Sequence, residues 1–481
     1  MYLLGVDLGT TGCKSMVFSH TGDIIGSDYI EYDLIITEDG HIEQNADTWW
    51  HNIKTSIKNA INDANLDGKK IKALSISSQG ISVVPVDKYG NTLMNAISWL
   101  DGRAVAEAEA IKQSYGEQTI FSTMGKLILP SYVLPKLMWI KKNLPETYRN
   151  TWKFMMGLDF LIYRLCGRAI TDFSMASGTL AYNVIEKTWY DEIFSNFDID
   201  LQKLPDLGCL GDVVGKILIS VAKELGLPSD CQVVLGAQDQ RCASLGAGID
   251  KGIVTVSLGT ATAVCSLCSN PVMDKYMKVT CCGLDKSHWM LESVIDTSGV
   301  ALKWVKNTFF KSISYSEMDR MVESAPVGSN GVMFFPYLKN KGNGSNGAFT
   351  GLGLHIEAQD IVRAVFEGIS YEIKKHIQIH EELNGLMGQI RLFGGGAKSD
   401  IWAQIIADIT GKPVLIPRTH ETANLGAAII AGIGVKVFKD LEDASKIVGS
   451  TSKTFIPDPE KYRQYNVHYD VYHKLSKKAF I

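Results

Sequence analysis

The sequence has no apolar run as long as a membrane span, no low-complexity tract and no cluster of Lys and Arg. The first absence argues against a membrane protein. The last, with a formal net charge of −4, leaves nucleic acid without an electrostatic footing. No leader is expected either, because the chain runs straight into the strand that carries Asp7, so a cytoplasmic protein is expected. Cysteine is present but unorganised. The nine residues at 13, 166, 209, 231, 242, 265, 268, 281 and 282 are scattered and odd in number, which reads as free thiols. Cys265-Ser-Leu-Cys268 followed by Cys281-Cys282 invites a zinc reading. Cys265 continues a strand, however, and adjacent cysteines suit a metal poorly, so buried structural thiols are expected.

What is there is globular: 46% hydrophobic and 21% charged over 481 residues, a length that calls for two domains. Near the start, GVDLGTTGCKSMVF joins two apolar runs through a short polar tip, as a β-hairpin does. Its Asp7, glycines and threonines are the residue types that a phosphate and its metal ion need, since small residues let backbone N–H groups approach and a carboxylate holds Mg²⁺. An ordinary polar hairpin would look the same. A second instance, IVTVSLGTATAVCS from Ile253, places Leu258-Gly259-Thr260 about half a chain beyond Leu8-Gly9-Thr10. The repeat implies two related domains, each offering a tip to one ligand. Ser257 stands where the first copy has Asp7, so one acid serves both tips.

Strands and helices alternate between the copies. A helix is expected over 45–60 with Ile53, Ile57 and Ile61 on one face, then a strand over 73–76, a polar turn over 77–80 and a strand over 82–86. Pro135 opens the helix PKLMWIKK. Val233-Val234-Leu235 reads as a buried strand with Gly236-Ala-Gln-Asp239 at its carboxyl end, where ligand sites of α/β sheets gather. Gly246–Gly252 is the expected hinge. A long helix is predicted over 359–383, then the strand 390–393, Gly394-Gly-Gly-Ala397, and a helix carrying Ile401, Ile405 and Ile409. A strand, glycine turn and helix N-terminus in that order suit an anion or nucleotide; a tight structural connection needs the same small residues. Gly342-Asn-Gly-Ser-Asn-Gly347 matches GxGxxG but lacks the following helix, so it reads as a loop. Tyr462, Tyr465, Tyr469 and Tyr472 form a helical stripe expected to pack a core.

Together, GVDLGTTGCK, PKLMWIKKNLPE, GAQDQRCASLGAG, VSLGTAT, IDTSGVALKW, FGGGAKSDIWAQIIADITGKPV and ETANLGAAIIAG resemble, in this order, the FGGY carbohydrate kinases of the actin-like, sugar-kinase and Hsp70 ATPase superfamily. FGGGAKSDIW is most similar to xylulose kinases. The resemblance implies an α/β fold of two ribonuclease-H-like (actin-like ATPase) domains flanking a nucleotide cleft, with phosphoryl transfer from ATP to a sugar hydroxyl. It divides the chain into 1–245 on the sugar and phosphate side, 246–440 on the nucleotide side and a helical tail at 441–481. By motif, Thr10, Thr11, Gly12, Lys14, Gly259 and Thr260 would meet the phosphates. Gly299, Lys303, Gly395, Gly396 and Asp400 would meet the rest of the nucleotide. Gln79, Gly80, Ile81, Asp101, Asp239 and Gln240 would meet the sugar, with Asp239 as catalytic base and Asp7 and Asp239 toward Mg²⁺. An acceptor for the hydroxyl proton is what in-line attack on the γ-phosphorus requires. Asp239 equally suits the N-cap of its helix, and both roles are compatible.

The pattern breaks at the acceptor end. Gln79-Gly80-Ile81 stands where D-xylulose kinases carry Gln-Met-His, and the Arg-Glu of glycerol kinases is missing too. Trp99-Leu-Asp101-Gly-Arg103 resembles a substrate stretch, but Asp101 and Arg103 equally form a structural ion pair. Lys339-Asn-Lys-Gly replaces the Gly-Glu-Arg of many relatives. A ketopentose such as xylulose is the expected acceptor, with L-ribulose, L-fuculose, gluconate, a tetritol or glycerol as alternatives. A chaperone- or filament-type ATPase and a non-catalytic sugar- or nucleotide-binding relative remain the competing functions. The expected partners are a small sugar and, in oligomeric form, a homodimer.

Overall fold

Tyr2–Leu8 (β1) and Gly12–Ser19 (β2) form an antiparallel hairpin in which Asp7 lies opposite Lys14. Leu3, Leu4, Val6 and Leu8 on β1 are buried. The computed structural model that describes this fold covers residues 1–339, 347–448 and 450–479. The chain forms two compact units, one made of Met1–Gly246, Cys268–Met290 and Glu421–Gly449, the other of Ala247–Leu267, Leu291–His420 and Ser450–Ile481.

In the first unit β2 continues antiparallel into Ile24–Glu31 (β3). The helix Ala46–Asp63 (α1) follows; the Asn45 side chain caps it by accepting from the Thr48 N–H, and Ile53, Ile57 and Ile61 face the core. Ile71–Ser78 (β4) then runs parallel to β1. Ser77 and Ser78, expected in a turn, close this strand instead. Both are buried, and the ladder to β1 pairs Ser77 with Asp7. The helix Val133–Asn143 (α2) holds Pro135 within its first turn. Farther on come Val213–Lys216 (β5) and Gln232–Gln238 (β6), and Asp239 opens the helix Asp239–Gly246 (α3) at once. The sheet order is β5-β6-β4-β1-β2-β3, with β6, β4 and β1 parallel. The helix Thr422–Gly434, nearly 200 residues later, belongs to this unit: the Asn424 amide donates to the carbonyls of Gly5 on β1 and Lys14 on β2.

In the second unit Ile253–Leu258 (β7) and Thr262–Cys268 (β8) form the other hairpin. They are joined by Trp289–Ile295 (β9), the helix Gly299–Phe309 (α4), the long helix Ala358–Asn384 (α5), Gln389–Phe393 (β10), the helix Asp400–Thr410 (α6), Val414–Pro417 (β11), Thr451–Phe455 (β12) and the helix Pro459–Ala479 (α7). These strands lie in the order β9-β8-β7-β10-β11-β12, six of a seven-stranded sheet whose other edge is Thr280–Gly283, with β7, β10 and β11 parallel and β12 antiparallel at its edge. Read from β3, the first sheet has the same plan: a three-strand meander, two further parallel strands and an antiparallel edge. The two Leu-Gly-Thr segments therefore occupy equivalent hairpin tips. Val362, Val365, Ile369, Ile373 and Ile377 of α5 are buried, as are Tyr465, Tyr469 and Tyr472 of α7. The tyrosine hydroxyls keep partners, Tyr465 on Glu367 and Tyr472 on Glu372, which is what buried phenols require.

All nine cysteines are free thiols, and all but Cys166 are buried. Among the described residues no group of three or more His, Cys, Asp or Glu is arranged to hold a metal ion. No described helix is long and apolar enough to cross a membrane. The GxGxxG stretch at 342–347 lies outside the described residues except for Gly347. So do residues 340–342 of the departing loop.

Candidate active site

Three parallel strands of the first unit end side by side. β1 delivers Asp7, β4 delivers Ser77 through Gly80, and β6 delivers Gln238 and Asp239; the register pairs Asp7 with Ser77 and Ser78 with Gln238. Asp7 accepts a 2.6 Å bond from the Ser77 hydroxyl. Burial pushes its carboxyl up to about 6, against the opposing pull of that bond and of Lys14, with Glu421 adding to the rise. A poorly hydrated carboxylate with a single hydroxyl partner retains free lone pairs, which suits a hard cation that keeps most of its waters. Lys14 is held at 2.8 Å by Glu421, the residue before the helix Thr422–Gly434, and lies over the Tyr29 ring. The tip itself is pinned from its sides. Gly9 N–H donates to the Gly12 carbonyl, the Gln44 amide to the Thr10 carbonyl, and the Trp99 indole to the Thr10 hydroxyl. Thr11 is exposed on the tip and Gly12 begins β2.

Asp239 accepts from its own neighbours, the Gln238 amide and the Gln240 N–H. It stands at the first position of α3, where the helix dipole favours a carboxylate. Beside it Gln79 is buried, and its amide N–H donates to the Gln44 oxygen at 3.0 Å. Ile81 has φ +55°, a backbone region that a β-branched residue rarely adopts. The buried Lys136 of α2 holds it there by donating to the carbonyls of Ile81 and Ser98 at 2.9 and 2.8 Å. Asp101 is fully engaged within the protein. It accepts from the Ile42 N–H, the Arg103 N–H and the Arg103 guanidinium, which also reaches Glu43. Burial raises the Asp101 carboxyl and the Arg103 bonds more than offset it, so the net effect is a lowered pKa. Its side chain is buried, an arrangement that suits a brace behind the Ile81 turn.

In the second unit the tip residues Gly259 and Thr260 meet the start of α4. The Gly299 N–H donates to the Gly259 carbonyl at 3.0 Å and the Val300 N–H to the Thr260 carbonyl at 3.1 Å. A Cβ on Gly299 would stand 2.3 Å from that Gly259 oxygen, so only glycine permits the approach. Lys303, one turn along α4, is exposed. Gly394 and Gly396 pack on Leu258 of β7, and Gly395 opens a short 3₁₀ turn before α6. Ser399 caps α6, and Asp400 is exposed in an ion pair with Lys453 at 2.7 Å. The expected site residues thus fall into two groups by unit: Asp7, Thr10, Thr11, Gly12, Lys14, Gln79, Gly80, Ile81, Asp101, Asp239 and Gln240 in the first, Gly259, Thr260, Gly299, Lys303, Gly395, Gly396 and Asp400 in the second.

Sequence reasoning did not single out Gln44, Lys136, Gln238, Glu421 or Asn424. Lys136 and Gln238 lie within quoted motifs, as do Glu421 and Asn424 in ETANLGAAIIAG, but nothing local marks a buried amine or a distant amide. Gln44 carries no sequence signal at all.

Comparison with known proteins identifies the family. The FGGY family of carbohydrate kinases, N-terminal domain, matches residues 2–246, and the C-terminal domain of the same family matches residues 254–435. A xylulose kinase of Staphylococcus epidermidis is 32% identical over 99% of this chain and 97% of its own. A ligand-bound xylulose kinase from Lactobacillus acidophilus superposes with a TM-score of 0.92 at 26% identity, covering 99% and 98% of the two chains. A gluconate kinase from the same organism gives 0.91 at 26% identity, with the same coverage. The chain has the actin-like ATPase fold of such kinases, it belongs to the FGGY family of carbohydrate kinases, and it is an ATP-dependent sugar kinase.

Proposed function

We propose that the acceptor is a ketopentose such as xylulose, phosphorylated with Mg²⁺ as the metal. The observation that carries this reading is the convergence of Asp7, Gln79, Gln238 and Asp239 at the carboxyl ends of adjacent parallel strands. The xylulose kinases it resembles support the choice of sugar. In this reading Asp239 takes the hydroxyl proton as the sugar oxygen attacks the γ-phosphorus in line. Asp7 and Asp239 would hold Mg²⁺ through their carboxylates and its waters, with the Ser77 hydroxyl orienting Asp7, and the metal would neutralise charge on the phosphates. Thr10, Thr11, Gly12, Lys14, Gly259 and Thr260 would contact phosphate. Gly299, Lys303, Gly395, Gly396 and Asp400 would form the remaining nucleotide contacts. Gln79, Gly80, Ile81 and Gln240 would line the sugar, and Asp101, already engaged by Arg103 and the Ile42 N–H, would face it least directly. The setting proposed is cytoplasmic, where ATP and free sugars share a pool. The gluconate kinase neighbour favours an aldonate as the second reading.

The test is sugar-dependent ADP release with Mg·ATP across ketopentoses, deoxyhexuloses, polyols and aldonates, run beside Asp239→Ala. One strong ketopentose response is expected. It should fall about 10²–10⁴-fold in the variant, the range general-base removal covers, with nucleotide affinity unchanged. Near-normal turnover by the variant would refute the base assignment.

A further inference from the structure

Two glutamines beside Asp239 keep a buried carbonyl oxygen with no protein partner, and their neighbours settle which way each amide points. Gln44 donates its own amide N–H to the Thr10 carbonyl, so its oxygen must face Gln79, and Gln79 must present its N–H to Gln44. That leaves Gln79 Oε1 buried and unpartnered on a side chain from a residue only 1% exposed. Gln238 directs its amide N–H at the Asp239 carboxylate, which only accepts, and its Oε1 is likewise buried without a partner. The next glutamine, Gln240, has a third such oxygen. Buried acceptors left without a donor are destabilising, and at a strand end beside Asp239 a bound ligand is one source of that donor. Gly80 brings the first two together: a Cβ there would lie 3.2 Å from Gln238 Cγ, so a larger residue would press on Gln238.

The cations behind this wall are already used. Lys136 is fully buried on the Ile81 and Ser98 carbonyls, and the Arg103 side chain is 2% exposed on Asp101 and Glu43. We infer that Gln79 and Gln238 form an acceptor-only wall that selects an uncharged, polyhydroxylated sugar, whose hydroxyls donate to both oxygens, over an aldonate. A carboxylate gains no counter-ion from Lys136 or Arg103 and meets only oxygen acceptors. This rests on the proposed kinase site, and it assigns to Gln238 a role in choosing the acceptor.

The experiment measures kcat/KM for D-xylulose, L-ribulose, xylitol and D-gluconate with saturating Mg·ATP, in the wild type, Gln79→Met and Gln238→Met. The wild type should favour its best uncharged acceptor over gluconate at least 100-fold. Each methionine, nearly isosteric but without the carbonyl, should raise the sugar KM about 10-fold or more while the ATP KM stays within twofold. Thermal melts of the variants check that folding is retained, and the wild-type preference tests the inference with no substitution at all. Gluconate turned over as well as, or better than, the uncharged acceptors would overturn the wall while leaving the kinase site standing. An unchanged sugar KM in both variants would do the same. Silence with all four acceptors would overturn the ketopentose reading on which the inference rests, and the inference with it.

Discussion

Lys136 is the residue on which the acceptor turn rests. Its amine lies in a fully buried position, and burial pushes it down to about 7, with Asp101 opposing that shift and Arg103 adding to it. A neutral amine has two N–H bonds, which match its two carbonyl partners, Ile81 and Ser98. The ordinary lysine value is 10.5, so between about pH 7 and 10.5 the unfolded chain binds a proton that the folded chain does not. Stability contributed by this group therefore rises with pH across that window, by at most about 1.4 kcal/mol per pH unit. Lys136→Met leaves two buried carbonyls without their donor, at about 1–3 kcal/mol each, but is spared the cost of deprotonating the lysine on folding. The wild type should gain roughly 3 kcal/mol on the variant between pH 7 and pH 9.5. Urea unfolding of both proteins at the two pH values measures this, and a difference that does not change with pH would mean that the lysine stays charged when folded. The sugar KM of the variant should rise as well, since Ile81 is freed to leave its positive φ.

Among the elements, the helix α3 carries Asp239, and what seats α3 is its crossing with the helix Thr422–Gly434. The crossing is made by glycines on both sides. A Cβ on Gly246 would stand 1.9 Å from the Thr422 oxygen, and a Cβ on Gly426 would stand 1.9 Å from the Cys242 oxygen. Backbone cannot yield by a side-chain rotation, so Gly426→Ala must push the helices apart. A loss of roughly 2–3 kcal/mol is expected, at the upper end of overpacking costs, with kcat reduced as Asp239 moves. Chemical denaturation and steady-state kinetics on that variant check both, and wild-type values for both would show the crossing to be looser than drawn. This crossing also marks where sequence reading stops. Periodicity located α1, α5, α6 and the stripe of α7, whose Tyr465, Tyr469 and Tyr472 are buried while Tyr462 is exposed; Pro135 located α2, and the repeated Leu-Gly-Thr located the two hairpins. Ser77 and Ser78 misled because polar residues in sequence resemble a turn, whereas here they are the buried end of a strand, with Ser77 bonded to the Asp7 carboxylate. The glycines of GAQDQRCASLGAG and ETANLGAAIIAG were visible, but that they touch one another across 180 intervening residues is a property of tertiary packing. For the same reason Asp239 and Asp7 were legible as candidates, whereas Gln44, Gln238 and Lys136, which orient and brace the turn, were not.

On the scale of the whole molecule, sequence order and folding unit disagree. The family's N-terminal domain ends at residue 246, but the first unit is completed by Cys268–Met290 and Glu421–Gly449. The helix in that late segment buries Leu425, Ile429 and Ile430, with Ala427, Ala428 and Ala431 between them. Its Asn424 amide ties β1 to β2 through the Gly5 and Lys14 carbonyls, and its Gly432 and Gly434 approach Leu3 and Val234. At about 1.5–3 kcal/mol for each large side chain, the three account for roughly 5–9 kcal/mol of burial. That is comparable to the whole stability of an ordinary domain, about 5–15 kcal/mol. Residues 1–246 expressed alone should therefore not fold cooperatively, although they span a complete family domain. They would expose the sheet face at Leu3 and Val234, and aggregation is the expected fate of such a surface. Joining 268–290 and 421–449 to the fragment through flexible linkers should restore a cooperative thermal transition, and Asn424→Ala within the joined segment should lower its midpoint. Circular dichroism melts of the three chains make the comparison. A cooperative transition in 1–246 alone, at the same temperature as in the joined chain, would mean that the late helix merely rests on a unit already complete.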